Sequence, residues 1–172
     1  TSVYNNQYAK LLTTSPIASQ SGIDINSPDR LLFWYTQEIA HVIEEQKLVN
    51  PKILILGGGA FTLPEYLAKA YPDGHVDTVE IDTDLLQIAK DHFNFNEQPN
   101  LTIINQDARS FLHTNKQQYD IVAVDVYSDV SVPFALATKE YGQNLVKAVN
   151  PNGIVIVNSI GNHTGACKQL LD

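Results

Sequence analysis

Five short apolar runs, each followed by a stretch with helical spacing, constrain this chain more than any other feature. Lys52 to Leu56, Val76 to Ile81, Leu101 to Asn105, Ile121 to Asp125 and Ile154 to Asn158 have strand length. Helices are expected between them at Pro64 to Ala70, Thr83 to Phe93, Ala108 to Thr114 and Thr138 to Val149, with a further one from Thr164. Several of the runs (ILIL, IVAV, IVIV) are apolar at successive positions. That pattern belongs to strands covered on both faces, and strands alternating with helices give a doubly wound, mostly parallel sheet. Ligands of such sheets bind beyond the carboxyl ends of the strands, so the chemistry is expected there.

Ahead of this alternation, residues 1–26 are polar and broken, with β-like pieces at Tyr8 to Leu12, Ile17 to Gln20 and Ile23 to Ile25. We read 1–26 as a small N-terminal β-rich segment and 27–172 as one α/β domain. A helix is expected to start at Ser27-Pro28-Asp29, a good N-cap followed by a favoured first residue and an acid that complements the helix dipole. Leu31, Tyr35, Ile39 and Val42 would form its buried stripe. Asn50-Pro51 ends it.

The chain of 172 residues fits one core, and its 44% hydrophobic content is that of a globular protein. No apolar run approaches the roughly 20 residues of a membrane helix, so no membrane contact is expected from this segment. With no secretory leader visible and a single cysteine, Cys167, a cytoplasmic location is the default expectation. A net charge of −8 disfavours nucleic acid as a partner and suits a cationic substrate, although an acidic surface is also simply soluble. The absence of Met, even at position 1, suggests a processed chain or a piece of a longer one.

The first strand runs into Gly57-Gly58-Gly59, where the backbone can turn tightly and approach a ligand closely. Glu80 ends the second strand, 21 positions beyond Gly59, where a carboxylate can accept from both hydroxyls of a ribose. Asp107, just after the third strand, could accept from an adenine amino group. A dinucleotide site wants a third glycine where Thr62 stands, so a nucleoside without pyrophosphate, S-adenosylmethionine or a relative, fits better. The plain alternative is an ordinary strand–helix turn with a surface glutamate.

No metal is expected. His41, Glu44 and Glu45 have helical spacing but no third ligand in sequence, and the other histidines lie apart. Cys167 reads as a plain thiol, and no nucleophile-elbow pattern is present. Asp82 and Asp84 read as caps of the helix that follows them.

Taken together, Ile53 to Gly59 (ILILGGG), Val79 to Asp82 (VEID), Gln106 to Arg109 (QDAR), Tyr119 to Asp125 (YDIVAVD) and Asn150 to Gly153 (NPNG) resemble the spermidine synthase family in order and spacing. The resemblance covers roughly residues 17 to 160. It implies a Rossmann-like fold of the class I S-adenosylmethionine-dependent methyltransferase type. It also implies aminopropyl transfer from decarboxylated S-adenosylmethionine to a putrescine-like amine, without metal, in a homodimer formed through the N-terminal strands. Residue by residue, it implies that Gly57, Gly58 and Gly59 cradle the donor, Glu80 holds the ribose, and Asp107 with Ala108 contacts the adenine. Asp125 would deprotonate the attacking amine, Asp129 would be a second substrate-side acid, Tyr35 would frame the amine pocket, and Gln20, from the N-terminal hairpin, would help bind the donor. The loop Val126 to Pro133 would gate the site.

Two departures stand out. The family's Asp after the three glycines is Ala60 here, and its D-S-S-D-P loop reads Asp125-Val126-Tyr127-Ser128-Asp129. The family also adds two further C-terminal strands, so those strands are expected to be missing from this chain. Three readings follow: an aminopropyltransferase, a methyltransferase using S-adenosylmethionine itself, and a non-catalytic nucleoside-binding or assembly module. For Asp125 the plain alternative is loop or helix capping, for Asp129 a solvated charge, and for Tyr35 core packing.

Overall fold

In the computed structural model, the structure describes residues 1–15, 18–126 and 138–158. Three strands come first: β1 (Ser2–Asn5), β2 (Ala9–Ser15) and β3 (Ala18–Asp24), paired antiparallel in the order β1-β2-β3. Then follow α1 (Trp34–Glu45), β4 (Lys52–Leu56), α2 (Thr62–Ala70), β5 (His75–Glu80), α3 (Asp84–His92), β6 (Leu101–Asn105), α4 (Ala108–Thr114), β7 (Tyr119–Val124), α5 (Lys139–Ala148) and β8 (Val149–Val157). The second sheet has the order β6-β5-β4-β7-β8, and every pairing in it is parallel. This is the expected doubly wound sheet with a small N-terminal β segment. The expected helix from Thr164 lies outside the described residues.

The continuous apolar runs are explained by the two covered faces. Successive residues of a strand point to opposite sides. Ile53 and Ile55 of β4, with Ile121 and Ala123 of β7, pack under α1 and α2, against Ile39, Ile43, Leu63 and Leu67. Leu54 and Leu56, with Val122 and Val124, pack under α4 and α5, against Phe111, Leu112, Tyr141 and Leu145. All four apolar residues of β4 have zero exposure. At about 2 kcal/mol for each such side chain, this one strand anchors both halves of the core.

The expected start of the first helix is corrected. Ser27 does not cap it: Ser27 O accepts from Arg30 N–H at 3.0 Å in a turn, and Leu31 pairs with Ile23 as an antiparallel bridge. The helix begins at Trp34, with Phe33 as N-cap, six positions beyond Ser27. Local capping signals lost to a backbone pairing with β3 that buries Leu31. The stripe also rotates: the helix buries Thr36, Ile39, Ala40 and Ile43, while Val42 and Tyr35 are half-buried.

A third apolar cluster ties the two sheets together. Leu12 of β2 and Ile23 of β3 pack with Ala60, Phe61, Leu85, Ala89, Phe93 and Phe95. Phe61 takes a left-handed backbone (φ 57°, ψ 19°), uncommon for a bulky residue and costing about 1–2 kcal/mol. It is held there by near-complete burial, by its ring packed at 5.6 Å from that of Phe95, and by its N–H bonded to Gly58 O at 2.8 Å.

The turn after β4 is as tightly determined. Gly57 has φ +100°, and a Cβ there would lie 2.2 Å from the carbonyl oxygen of Asp125. Gly57→Ala therefore combines a left-handed strain with a backbone clash, and should lower stability by about 2–5 kcal/mol. The urea midpoint should drop with the slope unchanged, and a midpoint within experimental error of wild type would contradict this packing.

Candidate functional site

Because β4 to β8 run parallel, their carboxyl ends share one edge of the sheet. The ladder extends one step past each strand there. Gly57 N–H donates to Val79 O at 2.8 Å, Gln106 N–H to Glu80 O at 3.1 Å, Asp125 N–H to Leu56 O at 2.8 Å and Asn158 N–H to Val124 O at 2.9 Å. These bonds bring the glycine turn, Glu80, Asp107, Asp125 and Asn158 to a common rim.

Glu80 is fixed by backbone donors. Its Oε2 accepts from Gly58 N–H at 2.7 Å and Gly59 N–H at 3.2 Å, and its Oε1 from Asp82 N–H at 2.9 Å. The spacing between the glycines and Glu80 thus corresponds to a direct contact, in which the turn's amides orient the carboxylate. Gly59 (φ +53°) completes the turn. Of the two acids read as caps, Asp82 makes the bond, its Oδ1 accepting from Asp84 N–H at 2.9 Å; Asp84 is the acid in the first turn of α3, and Thr83 stands at the N-cap position with no side-chain capping bond.

Asp107 is the N-cap of α4. Its Oδ1 accepts from Ser110 N–H at 2.9 Å, and Ala108, the first helical residue, is buried behind it. Asp107 itself is exposed at the rim, with its second oxygen outside that capping bond. Capping orients the carboxylate and leaves it able to accept from a ligand.

Asp125 is half-buried at the end of β7. Burial pushes its carboxyl above the ordinary aspartate value. A hydrogen bond from Asn158 Nδ2 to Asp125 Oδ1, at 2.8 Å, works in the opposite direction. Asn158 is a site residue that sequence reasoning missed. Its position at the end of the last strand, on the rim rule, was the signal available. Asp129 and most of the expected gate, residues 127–133, lie outside the described residues; only Val126 is described, partly buried against the cluster that holds Leu56 and Val124.

The N-terminal hairpin reaches the same rim. Ser21 Oγ lies 3.3 Å from Thr62 Oγ1, and Ser21 is the neighbour that a Cβ on Gly59 would meet, at 3.5 Å. Tyr35 donates its hydroxyl to Gln20 O at 3.1 Å. Tyr35 and Gln20, assigned separately from the sequence, are therefore in contact, through the backbone of Gln20. Ala60 is 1% exposed and packs in the apolar cluster with Leu12 and Ile23.

Among the described residues, no three of His, Cys, Asp and Glu are grouped to hold a metal ion; His41 pairs only with Glu45, at 3.5 Å on the surface. No helix among them is long and apolar enough to cross a membrane.

Residues 32–168 match the family model of the spermine/spermidine synthase domain. The polyamine aminopropyltransferase of Vibrio vulnificus is 33% identical over 118 residues, covering 65% of this chain and 40% of its own length. Putrescine N-methyltransferase 2 of Nicotiana tabacum is 32% identical over 150 residues, covering 81% of this chain and 41% of its own. The chain thus spans about two fifths of the length of these curated relatives. In fold it is similar to a probable spermidine synthase from Corynebacterium glutamicum, with TM-score 0.74 at 24% identity over 92% of this chain and 63% of that one. It is also similar to human methyltransferase-like protein 13, solved in complex with SAH, with TM-score 0.72 at 21% identity over 80% and 69%. With the matching domain spanning most of its length and the glycine turn, Glu80, Asp107 and Asp125 on one rim, the chain belongs to the spermine/spermidine synthase family.

Proposed function

We infer that the chain carries the donor-binding and proton-accepting part of a transferase that moves an aminopropyl group from decarboxylated S-adenosylmethionine to a putrescine-like amine. The observation that carries this reading is the placement of Asp125. A desolvated carboxylate sits at the rim, its backbone packed against the glycine turn that would cradle the donor.

The ribose diol is assigned to Glu80. A carboxylate has about four acceptor sites, and three are taken by backbone N–H groups, so the diol uses the remaining one and displaces the long 3.2 Å bond from Gly59. Asp107 and Ala108 are assigned to the adenine. Gln20 is assigned to the donor side, and Tyr35, together with Asp129, to the amine side.

In the reaction, the amine nitrogen forms a bond to the donor carbon while the bond from that carbon to sulfur breaks. The electron pair stays on sulfur, which leaves as the neutral thioether methylthioadenosine. The proton lost by the nitrogen goes to Asp125. An amine of pKa about 10 is almost wholly protonated at neutral pH, so a base at the rim is needed, and a carboxyl raised above its ordinary value is a better one. The leaving group is already a sulfonium, so the task left to the protein is in-line positioning.

Methyl transfer from S-adenosylmethionine itself is the second reading, and Ala60 favours it. An acid at that position would face the donor's carboxylate, and alanine removes the repulsion. The similarity to a putrescine N-methyltransferase over 81% of the chain supports the same reading. Calorimetric titration with S-adenosylmethionine, its decarboxylated form and methylthioadenosine, followed by addition of putrescine, distinguishes the two. Tighter binding of the decarboxylated donor with spermidine formed supports aminopropyl transfer. Tighter binding of the carboxylated donor with N-methylputrescine formed supports methyl transfer. Binding of none of the three leaves an assembly module that keeps the fold.

Asp125→Asn should reduce turnover by about 10²–10⁴-fold while changing methylthioadenosine affinity less than about twofold. Its stability should move the other way. Because the folded value of Asp125 is raised, its favourable contribution is complete below the unfolded value near 3.9 and is lost as pH rises through the folded one. Asn removes that loss, so the variant should melt higher than wild type at pH 7 and not at pH 3. Undiminished turnover would show that the proton acceptor is another group.

The acidic limb of kcat/KM should lie above the ordinary aspartate range. Asn158→Ala, which removes the donor holding the Asp125 value down, should move that limb to still higher pH. A limb that stays put would detach Asn158 from the proton acceptor.

A further inference from the structure

Tyr141 has a buried hydroxyl that the fold does not use. The residue lies in the first turn of α5, its N–H bonded to Thr138 Oγ1 at 3.3 Å. It is 4% exposed and belongs to the apolar cluster with Leu56, Val79, Ala108, Phe111 and Val124. Leu56, Val79 and Val124 are at or next to the last positions of β4, β5 and β7, and Ala108 opens α4, so the ring lies under the rim that carries the candidate site. Its hydroxyl has no hydrogen-bond partner among the described residues.

A buried tyrosine hydroxyl ordinarily finds a partner, and one left without costs stability that a phenylalanine would not. Among the described residues this oxygen makes no hydrogen bond. The charged group that acts on it is Asp107: burial first, and the negative charge of Asp107 second, push the Tyr141 phenol far above its ordinary value. The hydroxyl is therefore a neutral donor at every working pH, on a ring that packs with Ala108 and Phe111 of α4, the helix that Asp107 caps; among the described residues, Asp107 Oδ1 accepts from Ser110 N–H.

Building on the adenosyl-donor reading above, we propose that Tyr141 is a positioning residue for base recognition, its hydroxyl donating to Asp107 when a nucleoside is bound. Asp107 then holds a lone pair toward the exocyclic amino group of an aminopurine. An oxopurine, which presents an acceptor at that place, would meet the carboxylate unfavourably. Tyr141 thus acts through Asp107 to select 6-amino over 6-oxo bases.

Tyr141→Phe keeps the ring and removes only the oxygen. Methylthioadenosine and methylthioinosine are titrated calorimetrically into wild type and variant, and both proteins are melted. Loss of a hydrogen bond to a charged group predicts about tenfold weaker binding of methylthioadenosine, an amino-to-oxo selectivity reduced by a similar factor, and a melting temperature no lower than wild type. Asp107→Asn, which retains capping ability, should reduce selectivity as well, and adding Tyr141→Phe to it should have little further effect. Unchanged affinity and selectivity in Tyr141→Phe, or a lower melting temperature with selectivity intact, would overturn the proposal and leave the donor reading standing. A wild-type protein that binds neither nucleoside would overturn both.

Discussion

The contact of Gly57 with the backbone of Asp125 is the constraint from which the site follows. β4 and β7 are neighbours in the centre of the sheet, and where they end their backbones approach too closely for any side chain at position 57. This single approach sets the turn that would receive the donor and the strand end that presents the carboxylate. The proposed donor cradle and the proposed proton acceptor are thus placed by main chain, with no long side chain between them. Strand ends joined by backbone hydrogen bonds make a stiffer frame than a pair of surface loops, which suits the in-line displacement proposed above.

Much of this was legible in the sequence. The runs ILIL, IVAV and IVIV named the doubly covered strands because burial on both faces leaves no room for polar alternation. Gly57 to Gly59 and Glu80 could be paired from their spacing, and they are in direct contact. What stayed hidden depends on contacts between distant residues. Ser27-Pro28-Asp29 carries every local mark of a helix start, yet the stretch closes as a single turn and the pairing of Leu31 with Ile23 delays the helix to Trp34. Asn158 lies 33 positions from Asp125 and has no motif of its own. Tyr141 reads as one more apolar residue on a helix, and only its orphaned oxygen distinguishes it. Asp107 combined two functions, cap and candidate ligand, of which the sequence displayed one.

Aminopropyl and methyl transfer share nearly everything described here: a sulfonium donor, an amine nucleophile and a base. They differ at the end of the donor distal to the adenine, where one carries a carboxylate and the other does not. On the proposed reading that end falls next to Ala60, which is embedded among Leu12, Ile23 and Phe61. On that reading the rest of the rim would serve either reaction, and the choice would fall to a few atoms beside the glycine turn.

The left-handed Phe61 gives those atoms an unexpected dependence. Its strained backbone directly follows Ala60 and opens α2, and part of the apolar wall that keeps its ring in place comes from the first 24 residues, through Leu12 and Ile23. The N-terminal sheet is then a buttress and not an ornament. Cropping it would let Phe61 relax toward an ordinary conformation and slacken the bend beside it, so that the cradle would lose its shape before the parallel sheet lost its fold.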